Sequence, residues 1–308
     1  MTTHLRMTLL FLVATAAFPA LGADEEKSPS SQVATAYDVV YRKVGETELK
    51  IDIAQPAEGN GPFPIVFVIH GGAWRSGSKD GMRGALLEFA KRGYVAASPQ
   101  YRFCPKETFP AQVHDVKAAV RWMKTHATEY KGDPDHIGAM GFSAGGHLSM
   151  MLGVTGPDDG LEGDAPKDAP STKIQAVVNY FGPTDLAADD FPNVTKPLIN
   201  DFLGGTPTEK AKEAAQASPL TFVSKDDPPI LSFQGTKDPL VPYSQTIKLA
   251  TAQTEKGIPG RVDLLLGMGH GWGGEDFKRT TQETFEFFDR YLKPSRKSAE
   301  SRSGGQKP

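Results

Sequence analysis

Six stretches of this chain are nearly continuous runs of apolar residues: "FPIVFVIHGG", "YVAASP" (94–99), "HIGAMGF" (136–142), "IQAVVNYFG", "PPILSFQG" and "RVDLLLG". A strand with one face in water alternates apolar and polar residues. A strand covered on both faces does not, so these runs belong inside a sheet that has helices on either side. The segments between them carry helical patterns. "AQVHDVKAAVRWMKTHA" places apolar residues at 113, 116, 119, 120 and 123, a single stripe, and "SQTIKLATAQTEKG" and "DFKRTTQETFEFFDRYL" are further helical stretches. Strand–helix alternation of this length predicts right-handed βαβ units and a mostly parallel central sheet. Ahead of it, "YDVVYRKV" (37–44) and "ELKIDIAQP" (48–56) alternate with period two around Gly45-Glu46-Thr47, which predicts an antiparallel hairpin at one edge.

The chain is long enough for one domain with a substantial core, expected over 36–293. Residues 1–22 are expected to be a secretory signal peptide. His4 and Arg6 precede an apolar run from Met7 to Ala17, and Ala20-Leu21-Gly22 offers the small residues of a cleavage site. The run falls short of the roughly 20 apolar residues of a membrane span, so no stable membrane anchor is expected. The mature protein is expected to be secreted or periplasmic, with a polar linker over 23–35. The tail 294–308 has almost nothing to bury and is expected to be disordered. Two internal stretches break the strand–helix pattern: 156–173, Pro/Gly/Asp-rich and read as a surface loop, and 183–219, long and partly helical. The second follows a sheet strand, where such excursions can cover a binding site.

Several chemistries are disfavoured early. A formal net charge of −3 gives no basic footprint for nucleic acid. The lone cysteine, Cys104, excludes an intrachain disulfide and any Cys-rich metal site, and reads as a small hydrophobe. "PDDGLEGDAPKD" is rich in carboxylates but lacks the spacing of a calcium loop, and "GGTPTEK" lacks the ending of a phosphate loop. No metal and no organic cofactor are expected.

The motif that carries chemistry is "MGFSAGGHLSMMLG" (140–153). Ser143 sits between glycines 141 and 145, after an apolar run and ahead of a helical pattern. Small neighbours suit a sharp strand-to-helix turn that lifts a serine hydroxyl clear of the backbone. A serine needs a base to take its proton. Of the seven histidines, His270 lies in the glycine-rich "LLLGMGHGWGG" after the last apparent strand. His147 is on the serine's own helix and reads as structural; His70 reads as tying down its loop, and His114, His126 and His136 lie in ordinary helix or strand-edge settings. An acid should orient the imidazole, and Asp238 in "PPILSFQGTKDPLVP" directly follows a buried strand. Asp185 in "FGPTDL" also follows a strand and competes with it, as do Asp226 and Asp227. The chain order Ser143, Asp238, His270 is that of the α/β-hydrolase fold. Oxyanion donors are expected from Gly72 and Ala73 in "VIHGGAW" and from Ala144 after the serine. Trp74, His70 and Trp272 are candidate pocket residues.

Taken together, "HGGAWRSGSK", "FPAQVHDVKAAVRWMKTHA", "DPDHIGAMGFSAGGHLSMML" and "GTKDPLVP" resemble the secreted bacterial BD-FAE-like α/β-hydrolases, related to feruloyl and acetylxylan esterases. "HGGAW" also matches the H-G-G-x-W pattern of kynurenine formamidases. The resemblance implies hydrolysis of carboxylic esters without a cofactor, on a small ester or an acylated carbohydrate with a short or aromatic acyl group. The alternatives are an arylformamidase or a peptidase using the same triad, or a non-catalytic binding protein on the same fold.

Overall fold

The computed structural model describes residues 33–293. The expected signal peptide, most of the expected linker and the expected tail lie outside the described residues. Eight strands form one sheet: β1 (Val33–Val44), β2 (Thr47–Pro56), β3 (Phe63–Ile69), β4 (Val95–Pro99), β5 (Gly132–Phe142), β6 (Ala176–Tyr180), β7 (Ile230–Gly235) and β8 (Gly260–Leu265). Their order across the sheet is β1-β2-β4-β3-β5-β6-β7-β8. From β4 to β8 every neighbouring pair is parallel, while β2 runs antiparallel to both β1 and β4. The edge hairpin and the parallel body are therefore as the patterns predict. This is an α/β-hydrolase fold. Strand β1 starts at Val33 and takes in 33–35, the last three residues of the expected linker.

The helices are α1 (Arg83–Lys91), α2 (Ala111–Thr125), α3 (Ala144–Val154), α4 (Lys196–Leu203), α5 (Ala211–Gln216), α6 (Pro219–Phe222), α7 (Ser244–Lys256) and α8 (Gly274–Leu292). Alternation along the inner strands divides the core in two. Ile65, Phe67 and Ile69 of β3 pack on one side with Val113, Val116 and Val120 of α2 and Leu148 and Leu152 of α3. Val66 and Val68 pack on the other with Leu86 and Phe89 of α1 and Phe285 and Phe288 of α8. No described helix is long and apolar enough to cross a membrane.

Folding also assembles an ionic cluster around a buried Lys79–Asp52 pair that no sequence spacing announces. Carboxylate oxygens of Asp38 (β1), Asp52 (β2) and Asp80 lie within 4.8 Å of one another, an arrangement that could hold a cation. The chain supplies that cation itself. The ammonium of Lys79, almost fully enclosed, sits 2.8 Å from Asp38 and 2.7 Å from each of Asp52 and Asp80. Asp52 is wholly buried and also receives Nε of Arg83 at 2.7 Å and the backbone N–H of Asp38 at 2.9 Å. Removing one partner of a buried pair leaves the other charge desolvated and uncompensated. Lys79→Met is therefore expected to lower unfolding free energy by about 3 kcal/mol, read as a fall in the urea midpoint at unchanged m-value. A midpoint within error of wild type would mean the cluster contributes no more than surface ion pairs do.

Candidate active site

Because β3, β5, β7 and β8 all run in the same direction, the loops that leave them emerge at one edge of the sheet, where open α/β sheets bind ligands. Gly72 and Ala73 follow β3, Ser143 follows β5, Asp238 follows β7 and His270 follows β8. Residues up to about 200 positions apart in the chain are thus gathered by strand direction alone.

Ser143 occupies the single residue between β5 and α3, with φ 53° and ψ −118°, a conformation that side chains rarely adopt. The turn is held from outside. The Ser143 N–H donates to the carbonyl of Tyr180 at 2.8 Å, and its own carbonyl accepts the N–H of His147 at 3.0 Å. A Cβ on Gly141 would overlap the backbone of Gly145, and one on Gly145 would overlap the carbonyl of Ile69, so both flanking positions must be glycine for the turn to close. The Ser143 hydroxyl has no hydrogen-bond partner among the described residues and is part-exposed. The first N–H groups of α3, beginning at Ala144, lack helical acceptors and present the positive end of the helix beside it.

Asp238 and His270 are brought into direct contact, with Oδ2 and Nδ1 2.7 Å apart. The carboxylate is fully buried and ringed by donors. Oδ1 accepts the N–H groups of Leu240 (2.8 Å) and Val241 (2.9 Å), and Oδ2 also accepts Nε2 of Gln234 at 3.0 Å. A group that only accepts fixes its histidine partner as an Nδ1–H donor, which leaves a lone pair on Nε2. That nitrogen has no hydrogen-bond partner among the described residues. The competing carboxylates face elsewhere. Asp185 pairs with Lys248 at 3.0 Å, Asp227 accepts from Ser224, and Asp226 is exposed.

The loop after β3 takes three consecutive left-handed residues: Gly72 (φ 116°), Ala73 (φ 53°) and Trp74 (φ 57°). The Gly72 carbonyl accepts the N–H groups of Arg75 and Ser76, whereas the N–H groups of Gly72 and Ala73 donate to no backbone carbonyl among the described residues. They are free to meet a ligand.

Two of the three candidate pocket residues are corrected by their burial. Trp74 is 3% exposed and stacks on Phe202, so it is a strut beneath the loop rather than a wall. His70, also 3% exposed, donates Nδ1–H to the carbonyl of Gly71 at 2.7 Å and stacks on Tyr101. Burial lowers its pKa to about 4, so it ties the loop down as a neutral ring. Trp272 is half-buried and packs edge-on against Phe181, whose own ring lies 4.6 Å from that of His270. Phe181 was not singled out in the sequence. Its signal is weak: an aromatic residue at the end of β6 held at φ 45° by its N–H to the carbonyl of Phe233.

The pattern of the BD-FAE family matches residues 51–252, which include Ser143 and Asp238 and stop short of His270. A probable carboxylic ester hydrolase, LipM, from Mycobacterium tuberculosis is 37% identical over 213 residues, covering 68% of this chain and 49% of LipM. Esterase LipC of the same organism is 30% identical over 228 residues, 71% of this chain and 55% of LipC. The chain thus spans about half the length of these relatives. Among solved structures, a truncated carbohydrate esterase from gut microbiota superposes with TM-score 0.73 at 28% identity, covering 85% of this chain and 98% of its own. An esterase of Thermogutta terrifontis with propionate bound gives 0.70 at 28% identity, covering 87% and 97%. With two thirds of its length under the family pattern and the serine turn inside that match, the chain belongs to the BD-FAE family.

Proposed function

We propose that the chain hydrolyses carboxylic esters with a short or aromatic acyl group, on a small alcohol or a carbohydrate, by an acyl-enzyme mechanism. The observation that carries this reading is the 2.7 Å contact of a buried, donor-ringed Asp238 with His270, on the sheet edge that also bears the Ser143 turn. His270 Nε2 takes the Ser143 proton as Oγ attacks the ester carbonyl, and Asp238 stabilises the imidazolium that results. The tetrahedral oxyanion is met by N–H groups of Gly72, Ala73 and Ala144, which are fixed before the charge develops. The imidazolium then gives its proton to the departing alkoxide, leaving Ser143 acylated. Water, deprotonated by the same nitrogen, attacks the acyl-enzyme. Collapse of the second tetrahedral species returns the proton to Oγ and releases the acid. A short acyl group is supported by the Thermogutta esterase with propionate bound, and a carbohydrate alcohol by the gut-microbiota carbohydrate esterase.

A fluorophosphonate is expected to attach to Ser143 of the wild-type protein. Ser143→Ala should abolish labelling and lower kcat on p-nitrophenyl acetate by about 10⁴ or more. Persistent labelling of the alanine variant would remove Ser143 from the mechanism.

The acid is tested separately. Asp238→Asn places an amide N–H₂ where donors already converge and favours the wrong imidazole tautomer, so kcat is expected to fall roughly 10²–10⁴-fold with the fold retained. Asp185→Asn, which breaks only the Lys248 pair, should stay within a few-fold of wild type. The reverse ranking would transfer the role to Asp185.

A further inference from the structure

Of the two enclosed histidines at the site that the mechanism does not use, His147 is the one on the serine's own helix. His147 lies on α3 one turn beyond Ser143, with no exposed surface and both ring nitrogens committed. Nδ1 accepts the indole N–H of Trp74 at 3.1 Å, and Nε2 donates to the carbonyl of Ala217 at 2.7 Å. An indole only donates and a carbonyl only accepts, so the two partners select a single neutral tautomer. Burial keeps the ring neutral, lowering its pKa to about 4.

Trp74 is the residue directly after the Gly72–Ala73 donors. Its ring is clamped between Phe202 of α4, stacked at 4.2 Å, and His147, edge-on at 5.1 Å, while its carbonyl accepts the N–H of Cys104. Two adjacent non-glycine residues, Ala73 and Trp74, are held at left-handed φ, and such a backbone persists only where its surroundings over-determine it. Phe202 and Ala217 both belong to the excursion 183–219, which also reaches this loop through the ion pair of Arg75 with Asp201 at 3.0 Å.

We propose that His147 is a positioning residue for the oxyanion hole: by accepting the Trp74 indole N–H it fixes the Gly72–Ala73 backbone against the serine turn. The proposal rests on the serine mechanism above. Its effect falls on the transition state, because the ground-state ester makes weaker use of the oxyanion donors than the tetrahedral anion does.

The test compares wild type with His147→Asn, His147→Gln, Trp74→Phe and the double variant Trp74→Phe/His147→Gln. Asn places its amide oxygen near the Nδ1 position and keeps an acceptor for Trp74. Gln reaches the Nε2 position and keeps the Ala217 bond instead. Asn is expected to retain kcat on p-nitrophenyl acetate within about threefold, while Gln and Trp74→Phe lose about 10- to 100-fold in kcat with KM nearly constant. Inhibition by a boronic acid, which is tetrahedral and anionic on serine, should weaken by the same factor, and inhibition by acetate should not. The double variant should be no worse than the poorer single one, since both changes break one contact. Equal losses in Asn and Gln, additive losses in the double variant, or a loss carried by KM would overturn the role of His147. If the Gln variant does not fold, Trp74→Phe is read through the split between kcat and KM and through the boronic-acid inhibition, because it keeps an aromatic ring beside Phe202 but removes part of the indole's volume together with its donor. A wild type that takes neither boronic acid nor fluorophosphonate at Ser143 would overturn the serine mechanism instead.

Discussion

The backbone at Ser143 is the constraint on which the edge of the sheet depends. A residue at φ 53° and ψ −118° stays there only if its neighbours leave no alternative, and three strands supply that restraint. Strand β6 offers the Tyr180 carbonyl to the serine N–H, β3 ends with Ile69 pressed against Gly145, and β5 contributes Gly141, itself in contact with Gly145. The turn is therefore a product of sheet order. Placing β5 between β3 and β6 puts both supports within reach, and the same order brings the loops after β3, β7 and β8 alongside.

Buried charge secures the periphery in a similar way. Asp52 with Lys79 and Arg83 binds the edge hairpin to the turn that follows the β3 loop. Asp115 of α2, also fully buried, receives Arg42 of β1 and Arg102 after β4. Lys117 of α2 holds Glu162 at 2.6 Å, and Arg121 holds the same carboxylate, so the stretch 156–173 is anchored rather than loose. Such pairs add little net energy over an apolar core, but breaking one is costly, so each pins a single arrangement of the elements it joins.

Most of the fold was legible because both-face burial writes itself into sequence as unbroken apolar runs. The strands from β3 to β8 are such runs, and the two alternating segments became the hairpin. The serine turn was legible because only glycine fits at 141 and 145. Asp238 could be preferred but not separated from Asp185, since both follow strands; what separates them is Lys248, a partner 63 residues away in sequence. Trp74 was misplaced as a pocket wall for the same kind of reason, and of the two readings of His70 the loop tie holds while the pocket does not. An aromatic residue on a glycine-rich loop looks like a pocket wall until Phe202 and Tyr101, from other elements, are found stacked on it. The Lys79 cluster was invisible, because its members are scattered over 38–83 with no periodic signal.

Three histidines surround this edge, and their partners divide them by task. His270 faces a buried carboxylate, a partner that would stabilise its ring if it became charged. His70 and His147 face only neutral groups, among them the carbonyls of Gly71 and Ala217, and burial lowers each pKa from 6.5 to about 4. Protonation would cost His147 the lone pair that accepts the Trp74 indole N–H, whereas His70 would keep its bond to Gly71. The same shift is a statement about stability. A histidine depressed in the folded state takes up a proton on unfolding at any pH between its two pKa values, so the stability it lends is fully present above about 6.5 and drains away as pH falls towards 4. Unfolding free energy should accordingly decline across pH 6.5 to 4 with up to two protons taken up by this pair. His147→Asn should remove one of them, measured as a shallower slope of the urea midpoint against pH. A slope unchanged by that substitution would mean that His147 is already charged in the folded protein, and the neutral ring that accepts the Trp74 indole would be lost with it.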